Sequence, residues 1–354
     1  MKKTTNFVSR RSLLTGASAG TLAIAFPYIR TARAQQAEHR MVFAHTFSPA
    51  TEKYVVTGID VFKGLAEKYS EGKLLVDVHD SGKLGGQNVL PQKMQSGLIQ
   101  GCQLSMQNFA PFSESFNLLD MPYLFSSNDS LEKVLESDWF LQSKFASEPL
   151  SKGFKILPGM WANAGYRVLG VSKRKAREVR VPDDLKGMKI RVNPARVEQQ
   201  AWALTPSSQV TIAWGETYQA MEQGVADALN VGMGPIAATK IEETLSSATF
   251  IDMTFNAHVT MVAAKWYQAL PNSIQAAIDR AGRESWQYQK MEQRLANERM
   301  VAQWQKAGIK IITLSPDERK AWVTSVGHNR PEWVQLKDRY GRAEYNKLRE
   351  MTGA

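Results

Sequence analysis

The sequence lacks most of the signals that mark a catalytic or disulfide-stabilised protein. Cys102 is its single cysteine among 354 residues, so no disulfide can form within the chain. It contains no H-E-x-x-H zinc motif, no G-x-x-x-x-G-K-[ST] phosphate loop and no G-x-G-x-x-G dinucleotide motif. The one G-x-S-x-G match, residues 16–20, lies near the N-terminus, before the folded part of the chain is expected to begin. We therefore predict a protein that is not an enzyme and has no catalytic residue, cofactor or metal ion.

Long apolar runs and concentrated charge are also missing. No stretch after the N-terminal segment approaches the ~20 apolar residues that cross a bilayer. The formal charge is +10, but residues 1–34 contain six Lys or Arg and no acidic residue, which leaves +4 for the remainder. That charge is spread along the chain without a basic run interleaved with aromatic residues. The sequence thus predicts neither stable membrane insertion nor nucleic-acid binding.

The N-terminal segment has the order of features found in export signals. A basic start precedes the apolar run Leu13–Phe26, and Ala32–Ala34 supplies a small-x-small cleavage pattern. Ser9–Leu14, with the sequence SRRSLL, resembles the twin-arginine export signal. An amphipathic helix is the alternative interpretation. We predict a signal peptide over residues 1–34, cleavage near Ala34 and a mature protein in the periplasm.

The rest of the chain alternates between β-like and helical patterns. This alternation is typical of a parallel sheet covered by helices, here in two blocks that cross near residues 161–165. A further β-like stretch at 257–264 suggests a return to the first sheet. The strands are predicted at 41–45, 74–78, 99–104, 165–171, 188–192 and 227–231, and the helices at 61–69, 89–96, after Pro194 and at 214–223.

A single long helix is predicted near the C-terminal end of the pattern. The run from Pro271 to Ala307 contains no further proline and only one glycine, Gly282. A continuous helix of this length would span roughly 55 Å, enough to lie across two lobes. Two helices broken near Gly282 are the alternative.

Two arginines are candidate ligand contacts. Arg191 lies on the strand predicted after the PDDLKGMK segment, and Arg167 lies on the preceding strand. Ligands of open α/β sheets bind at the carboxyl ends of the strands, and a guanidinium group can make two parallel hydrogen bonds to a carboxylate. Surface salt bridges are the alternative for both side chains.

The chain resembles a known family over essentially its whole mature length. Residues 182–192 are similar to the P-x-D-L-K-G-x-K-x-R signature of the solute-binding proteins of TRAP (tripartite ATP-independent periplasmic) transporters. Further matches follow in the same order and spacing as in that family. They are the segments 82–86, 120–125, 214–227 and 266–271.

The resemblance implies a two-lobed α/β fold like that of periplasmic binding proteins, with hinge strands and a long helix that spans both lobes. We assign residues 35–163 and 253–291 to lobe I, and residues 164–252 and 292–354 to lobe II. The ligand implied is a small organic acid, and the partners are the membrane permease subunits of a TRAP transporter.

The resemblance also implies roles for individual residues. The position of Arg191 usually grips the carboxylate, and that of Arg167 is a second ligand contact. Trp214 matches an aromatic position that packs against the ligand. Three more residues match positions at the cleft, although a structural role is equally open for them: His45, Gln107 and Asn108.

One departure from the family pattern bears on the ligand. Asn230 stands where members usually have an acidic residue, which argues against a bridging metal ion, and Val231 replaces a polar or aromatic residue. Together with Trp161, these residues predict an apolar pocket wall. We therefore favour a monocarboxylate with an apolar or aromatic body, or a keto acid. A C4-dicarboxylate or a sugar acid is the alternative, as are a periplasmic sensory protein and an exported cofactor enzyme.

Overall fold

The computed structural model describes residues 37–354, and the predicted signal peptide lies outside them. In these residues the α/β alternation becomes one mixed sheet flanked by helices. Its strands are β1 (His39–Ala44), β2 (Leu74–His79), β3 (Gly101–Ser105), β4 (Phe154–Ser172), β5 (Lys189–Val192), β6 (Ser208–Thr211), β7 (Ala228–Gly232), β8 (Leu245–Phe250), β9 (Phe255–Ala263) and β10 (Lys310–Thr313).

The helices cover both faces of this sheet. Short 3-10 turns lie between several of them, including Pro182–Leu185 and Trp214–Glu216. The α-helices are α1 (Ile59–Tyr69), α2 (Leu90–Gln95), α3 (Met106–Phe109), α4 (Asn128–Leu135), α5 (Asp138–Gln142), α6 (Lys144–Ser151), α7 (Arg196–Ala203), α8 (Thr217–Gln223), α9 (Met233–Ala238), α10 (Ala264–Gln268), α11 (Asn272–Lys306), α12 (Pro316–Val326), α13 (Val334–Tyr340) and α14 (Arg342–Thr352).

The predicted two-lobed α/β fold is confirmed, but the sheet is not purely parallel. The strand order is β2-β1-β3-β9-β4-β7-β5-β6, with β8 also on β4 and β10 on β8. The βαβ units β1-β2-β3 and β5-β6-β7 are parallel, as the alternation predicts. Strands β4 and β9 are antiparallel to their neighbours. The β-like stretch at 257–264 returns as β9 beside β3, as expected.

Strand β4 connects the two parts of the sheet. It pairs with β9 as far as Tyr166, and from Arg167 onward it pairs with β7. Its register with β9 is irregular between Asn163 and Tyr166. The exchange of partners lies next to the predicted crossing point at residues 161–165. The lobe boundaries given above remain a prediction.

Helix α11 is continuous through Gly282, so the alternative of two helices is wrong. Its 35 residues correspond to about 52 Å. A Cβ atom at Gly282 would lie 3.2 Å from both the Met160 Cβ atom and the Pro158 carbonyl oxygen. Glycine at this position therefore leaves room for the close approach of β4, and it does not interrupt the helix.

Polar side chains of α11 bind the backbone where β4 changes partners. The Gln289 amide donates to the carbonyls of Val56 and Asn163, at 3.0 and 3.3 Å. Gln293 accepts from the Val56 amide at 2.9 Å. Asn297 donates to the Ala164 carbonyl at 3.1 Å. The bonds to Asn163 and Ala164 hold the irregular part of β4 against the helix, and the bonds to Val56 hold the segment before α1.

Gly234 in α9 provides a test of the close packing between this helix and the backbone at Tyr54. A Cβ atom there would lie 2.4 Å from the Tyr54 carbonyl oxygen, whereas a Cβ atom at Gly64 in α1 would meet nothing within 4 Å. We expect Gly234→Ala to lower the free energy of unfolding by ~1–3 kcal/mol, because the backbone must shift. Gly64→Ala should raise it by about 0.5–1 kcal/mol, since alanine is the better helix former. Urea titration of both variants measures the difference, and equal effects would contradict the tight contact.

Candidate functional site

A cavity lies where the parallel strands end. It is lined by residues from both parts of the sheet. Half of them follow the carboxyl ends of β1, β2, β3, β5, β6 and β7, and the others lie near the ends of β3, β5 and β7, on β4 and near the start of β9. The lining residues are Phe47, Gln87, Ser105, Asn108, Arg167, Arg191, Asn193, Trp214, Val231, Pro235, Asn256 and His258. This is the position at which α/β sheets bind ligands.

Arg191 is held at the cavity by the backbone. On β5 its side chain points away from those of Ile190 and Val192, which enter the core. Strand β6 runs parallel beside β5 and carries the Ile212 carbonyl to the guanidinium group. That carbonyl accepts hydrogen bonds from Nε at 3.0 Å and Nη2 at 2.8 Å. The Nη1 atom has no acceptor among residues 37–354, so it is available to a ligand.

The charge of Arg191 is buried without a carboxylate partner in the described part of the chain. Its side chain is only 4% exposed. Burial lowers the pKa of Arg191 to about 10, with Glu198 acting against the shift and Arg167 adding to it. The guanidinium carbon lies 5.6 Å from the centre of the Trp214 ring, which favours a cation there. The group therefore stays charged at neutral pH and can attract an anion.

Arg167 reaches the cavity from β4, which is separated from β5 by β7, and is already paired. Its Nη1 atom lies 3.3 Å from the Glu198 carboxylate and also donates to the Asn230 carbonyl at 3.3 Å. Its Nε atom donates to the Phe255 carbonyl. Both members of the ion pair are at most 3% exposed. Only Nη2 of Arg167 lacks a partner among the described residues.

A second carboxyl group, that of Asp120, is buried near this pair. It accepts a hydrogen bond from the Gln107 amide at 2.8 Å. Burial raises the pKa of Asp120 to about 7, with Arg167 opposing the shift and Glu198 adding to it. Asp120 thus changes charge near neutral pH, whereas the pair of Arg167 and Glu198 cancels its own charge.

The polar lining offers a ligand more donors than acceptors. The Asn193 and Asn256 side-chain oxygens accept from the backbone amides of Ala195 and Gly232, which leaves their NH2 groups without a partner in residues 37–354. In contrast, the Asn108 amide nitrogen donates to Gln87 and Ser105, so its oxygen remains free. With the two guanidinium edges, the cavity suits a ligand rich in acceptor oxygens.

His258 is another polar residue of the lining with unused hydrogen-bonding capacity. It is 2% exposed, and its Nδ1 atom is buried without a partner in the described residues. Burial lowers the pKa of His258 to about 3, and Arg167 and His45 act in the same direction. A neutral ring presents one donor and one acceptor, so His258 adds no charge to the cavity.

The remaining wall of the cavity is apolar. Phe47, Val231 and Pro235 are buried side chains, and Trp214 is half-buried beside Arg191. The Phe47 ring packs edge-on against His258, with 5.5 Å between the ring centres. An anion bound to the arginines would therefore place its body against apolar surface.

The structure brings together five of the nine site residues predicted from the sequence. They line one cavity: Arg191, Arg167, Trp214, Val231 and Asn108. The other four do not line it. Trp161 packs edge-on against Phe140 in the core, and Gln107 binds Asp120.

His45 and Asn230 also lie outside the lining. Both are buried, and the His45 Nδ1 atom and both side-chain polar atoms of Asn230 lack partners among the described residues. Burial lowers the pKa of His45 to about 4. Asn230 contributes through its backbone, because its carbonyl accepts from Arg167.

Seven lining residues were not predicted, and two signals could have found some of them. Ser105 and Asn193 directly follow or end predicted strands, where ligand contacts are expected. Asn256 and His258 are polar residues within or beside an apolar β-like stretch, which is uncommon without a polar partner. Phe47, Gln87 and Pro235 lie in segments whose direction depends on tertiary contacts.

Neither a metal centre nor a membrane span is found in the described residues. Within 37–354, no three His, Cys, Asp or Glu side chains are arranged to hold a metal ion. No helix there combines the length and the apolar character that a bilayer crossing needs.

The fold and the cavity define a class, the two-lobed ligand-binding protein with a site at the strand ends. Comparison with known families then assigns the chain within that class. Residues 43–333 match the family described as bacterial extracellular solute-binding protein, family 7. The protein belongs to this family, in agreement with the resemblance seen in the sequence.

Individual relatives agree with the assignment. The chain is 28% identical to the C4-dicarboxylate-binding periplasmic protein DctP of Rhodobacter capsulatus, over 89% of this chain and 91% of that protein. A TRAP periplasmic solute-binding protein of Sulfurospirillum deleyianum with bound succinate has a TM-score of 0.78 and 22% identity, with coverages of 89% and 99%. A TRAP periplasmic solute-binding protein of Anaerococcus prevotii with bound glucuronate has a TM-score of 0.80 and 20% identity. The match covers 89% of this chain and 98% of that protein.

The buried histidine in the cavity predicts a pH dependence of stability. Because the folded-state pKa of His258 is lowered to about 3, the unfolded chain binds more protons between about pH 3 and pH 6.5. The contribution of His258 to the free energy of unfolding should therefore fall as the pH decreases through this range. From pH 7 to pH 5 this histidine accounts for about 2 kcal/mol of the loss.

His258→Asn should reduce that loss, and urea unfolding at the two pH values measures it. His79→Asn, a change at a half-exposed histidine on β2, is the matched control. Equal losses in the wild type and in His258→Asn would contradict the assignment of a neutral, buried ring.

Proposed function

We propose that this protein is the periplasmic substrate-binding subunit of a TRAP transporter and that it captures a small organic monocarboxylate. The observation that carries the proposal is the guanidinium group of Arg191, which faces the cavity with Nη1 free and has no carboxylate partner among residues 37–354. A buried, unpaired cation is costly unless an anion completes it. A carboxylate matches the planar donor edge of arginine, with which it can form two parallel hydrogen bonds.

The family supports transport as the role of this binding. Its members named above are periplasmic or TRAP solute-binding proteins, and the chain shares their fold over about nine-tenths of its length. A mature protein in the periplasm, released by cleavage near Ala34, fits this role. The bound form would then be recognised by the membrane permease subunits.

The lining favours a monocarboxylate with further acceptor oxygens, such as a keto acid. The two arginines and Glu198 together give the cavity one net positive charge. A sugar acid carries many hydroxyl donors, yet Asn108 and His258 are the main acceptors on offer. A C4-dicarboxylate, which the relatives from Rhodobacter and Sulfurospirillum bind by name, would bring a second negative charge without a second unpaired cation.

Binding would occur by closure of the lobes around the acid. The acid reaches the open cleft, Arg191 pairs with its carboxylate, and its body covers Val231, Pro235 and Phe47. Micromolar affinity needs ~8 kcal/mol, and hydrogen bonds to the charged group supply ~1.5–3 kcal/mol each. Burial of the apolar body, at ~25 cal/mol per Å², must contribute the rest. The ligand favours closure only by binding the closed form more tightly.

A thermal-shift screen of ligand-stripped protein against organic acids tests this function directly. Monocarboxylates and keto acids should raise the melting temperature, and calorimetry should then give the affinity of the best acid. Stabilisation by amines or neutral sugars alone, or turnover of the added compound, would overturn the proposal. Stabilisation by dicarboxylates alone would keep the transport role and reject the monocarboxylate.

Arg191→Lys is expected to weaken binding of the best acid at least about tenfold. A lysine ammonium cannot hold the Ile212 carbonyl and present a second, planar donor edge to the ligand. Arg280→Lys, an exposed arginine paired with Glu284 on α11, is the control and should bind as the wild type does. Calorimetric affinities within threefold of the wild type for Arg191→Lys would remove this residue from its central role.

Val231→Thr should change the preference among acids. The two side chains have nearly the same shape, but threonine adds a hydroxyl group to the apolar wall. Acids with a hydroxylated body should gain affinity relative to acids with an aliphatic body by about threefold or more. Val231→Ala, which enlarges the cavity without a polar group, is the matched control. An unchanged ranking of the acids in Val231→Thr would count against contact between this wall and the ligand.

A further inference from the structure

The two arginines of the cavity differ in whether their charge is cancelled. Arg167 lies 3.3 Å from the Glu198 carboxylate, and both groups are almost completely buried. Arg191 is bound only by the Ile212 carbonyl and the Trp214 ring in the described structure. The cavity therefore has two guanidinium groups that can form hydrogen bonds, but Arg167, Arg191 and Glu198 together carry a net charge of only +1.

Glu198 is built into this arrangement from outside the cavity. It lies in the first turn of α7 and is 3% exposed. One carboxylate oxygen accepts from Arg167, and the other accepts from the backbone amide of Asn193 at 3.4 Å. Arg167 and Asn193 line the cavity, whereas Glu198 does not. Any effect of Glu198 on a ligand must therefore act through charge and through these two neighbours.

We propose that Glu198 determines the charge specificity of the site, restricting it to monoanionic acids by cancelling the charge of Arg167. This inference rests on the proposed function, since it assumes that the cavity binds carboxylates. With Glu198 ionised, a second ligand carboxylate would meet a guanidinium whose charge is already balanced. It would also approach a buried negative charge, which is screened weakly in the interior. The negative charge of a single ligand carboxylate is balanced by Arg191 alone.

Ionisation of Asp120 can replace the negative charge that is lost when Glu198 is changed. The test must therefore keep the charge of Asp120 constant. The groups that act on Asp120 are Arg167, Glu198 and Gln107. Because Glu198 contributes to the raised pKa of Asp120, its removal would let Asp120 ionise more readily and replace the lost negative charge. The variants are therefore compared in the wild-type background and in an Asp120→Asn background.

The probes are 4-oxopentanoate and succinate, which have the same carbon skeleton over four atoms and differ by a methyl ketone in place of one carboxylate. At about pH 7 succinate carries two negative charges and 4-oxopentanoate carries one. Calorimetry gives the ratio of the two affinities for each protein. In the Asp120→Asn background, where Asp120 cannot replace the lost charge, Glu198→Gln should raise the ratio of succinate to 4-oxopentanoate affinity about tenfold or more. Glu198→Asp, which keeps the charge, should stay near the wild-type ratio.

A double variant separates charge from local structure. Arg167→Gln combined with Glu198→Gln removes both charges and leaves Arg191 as the net positive charge. Its ratio should stay within about threefold of the wild type, even if the absolute affinities fall. If Glu198→Gln alone does not fold, the double variant carries the test, and a shift of its ratio toward succinate would overturn the proposal.

The outcomes distinguish this proposal from the proposed function. Binding of 4-oxopentanoate with an unchanged ratio when Glu198→Gln is made in the Asp120→Asn background would reject the role of Glu198 and leave carboxylate capture intact. Failure of the wild type and of Glu198→Gln to bind either probe would contradict both proposals.

Discussion

The structure depends on how the charge of one buried guanidinium group, that of Arg191, is accommodated. The Ile212 carbonyl fixes two of its nitrogen atoms, and the Trp214 ring lies near its face. No carboxylate in residues 37–354 completes the charge. A protein selected only for stability would pair or remove such a group, because an isolated buried charge is costly. Its presence at the cavity is explained if an external anion completes the site.

The fold determines where this group can act. Parallel strands β5, β6 and β7 end together, and strand β3 of the other part of the sheet ends nearby. The carboxyl ends of both groups of strands therefore face one cavity. Strand β4 and helix α11 run along both parts and are joined by the side chains of Gln289 and Asn297. An anion between the two parts can thus stabilise one relative arrangement of the lobes.

Much of the fold could be predicted from the sequence, because its elements carry strong local patterns. The β1-α1-β2 and β7 segments and helix α11 have clear periodicity, and their observed bounds lie within a few residues of those predicted. Strands β6, β8 and β10 were missed. Strands β6 and β10 have four residues each and are mostly exposed, so they lack an apolar run, and the partners of β8 are distant in sequence. The antiparallel position of β4 and β9 depends on such long-range pairing, and local alternation contains no information about it.

The site could be predicted only in part, for a related reason. Arg191, Arg167 and Val231 lie on strands, so their position followed once the family signature fixed the register. Trp161 was assigned to the pocket by its nearness in sequence to the crossing point, yet alternation along β4 turns its ring into the core. Glu198 was missed because an acidic residue in the first turn of a helix is usual. Its contact with Arg167 is a tertiary one.

A crystal structure of the protein with its best-binding acid tests the central claim most directly. The account predicts a ligand carboxylate within hydrogen-bonding distance, about 2.7–3.2 Å, of the Nη1 atom of Arg191, with the Ile212 contacts retained. A carboxylate bound elsewhere in the cavity, with Nη1 of Arg191 turned to a protein acceptor, would contradict it.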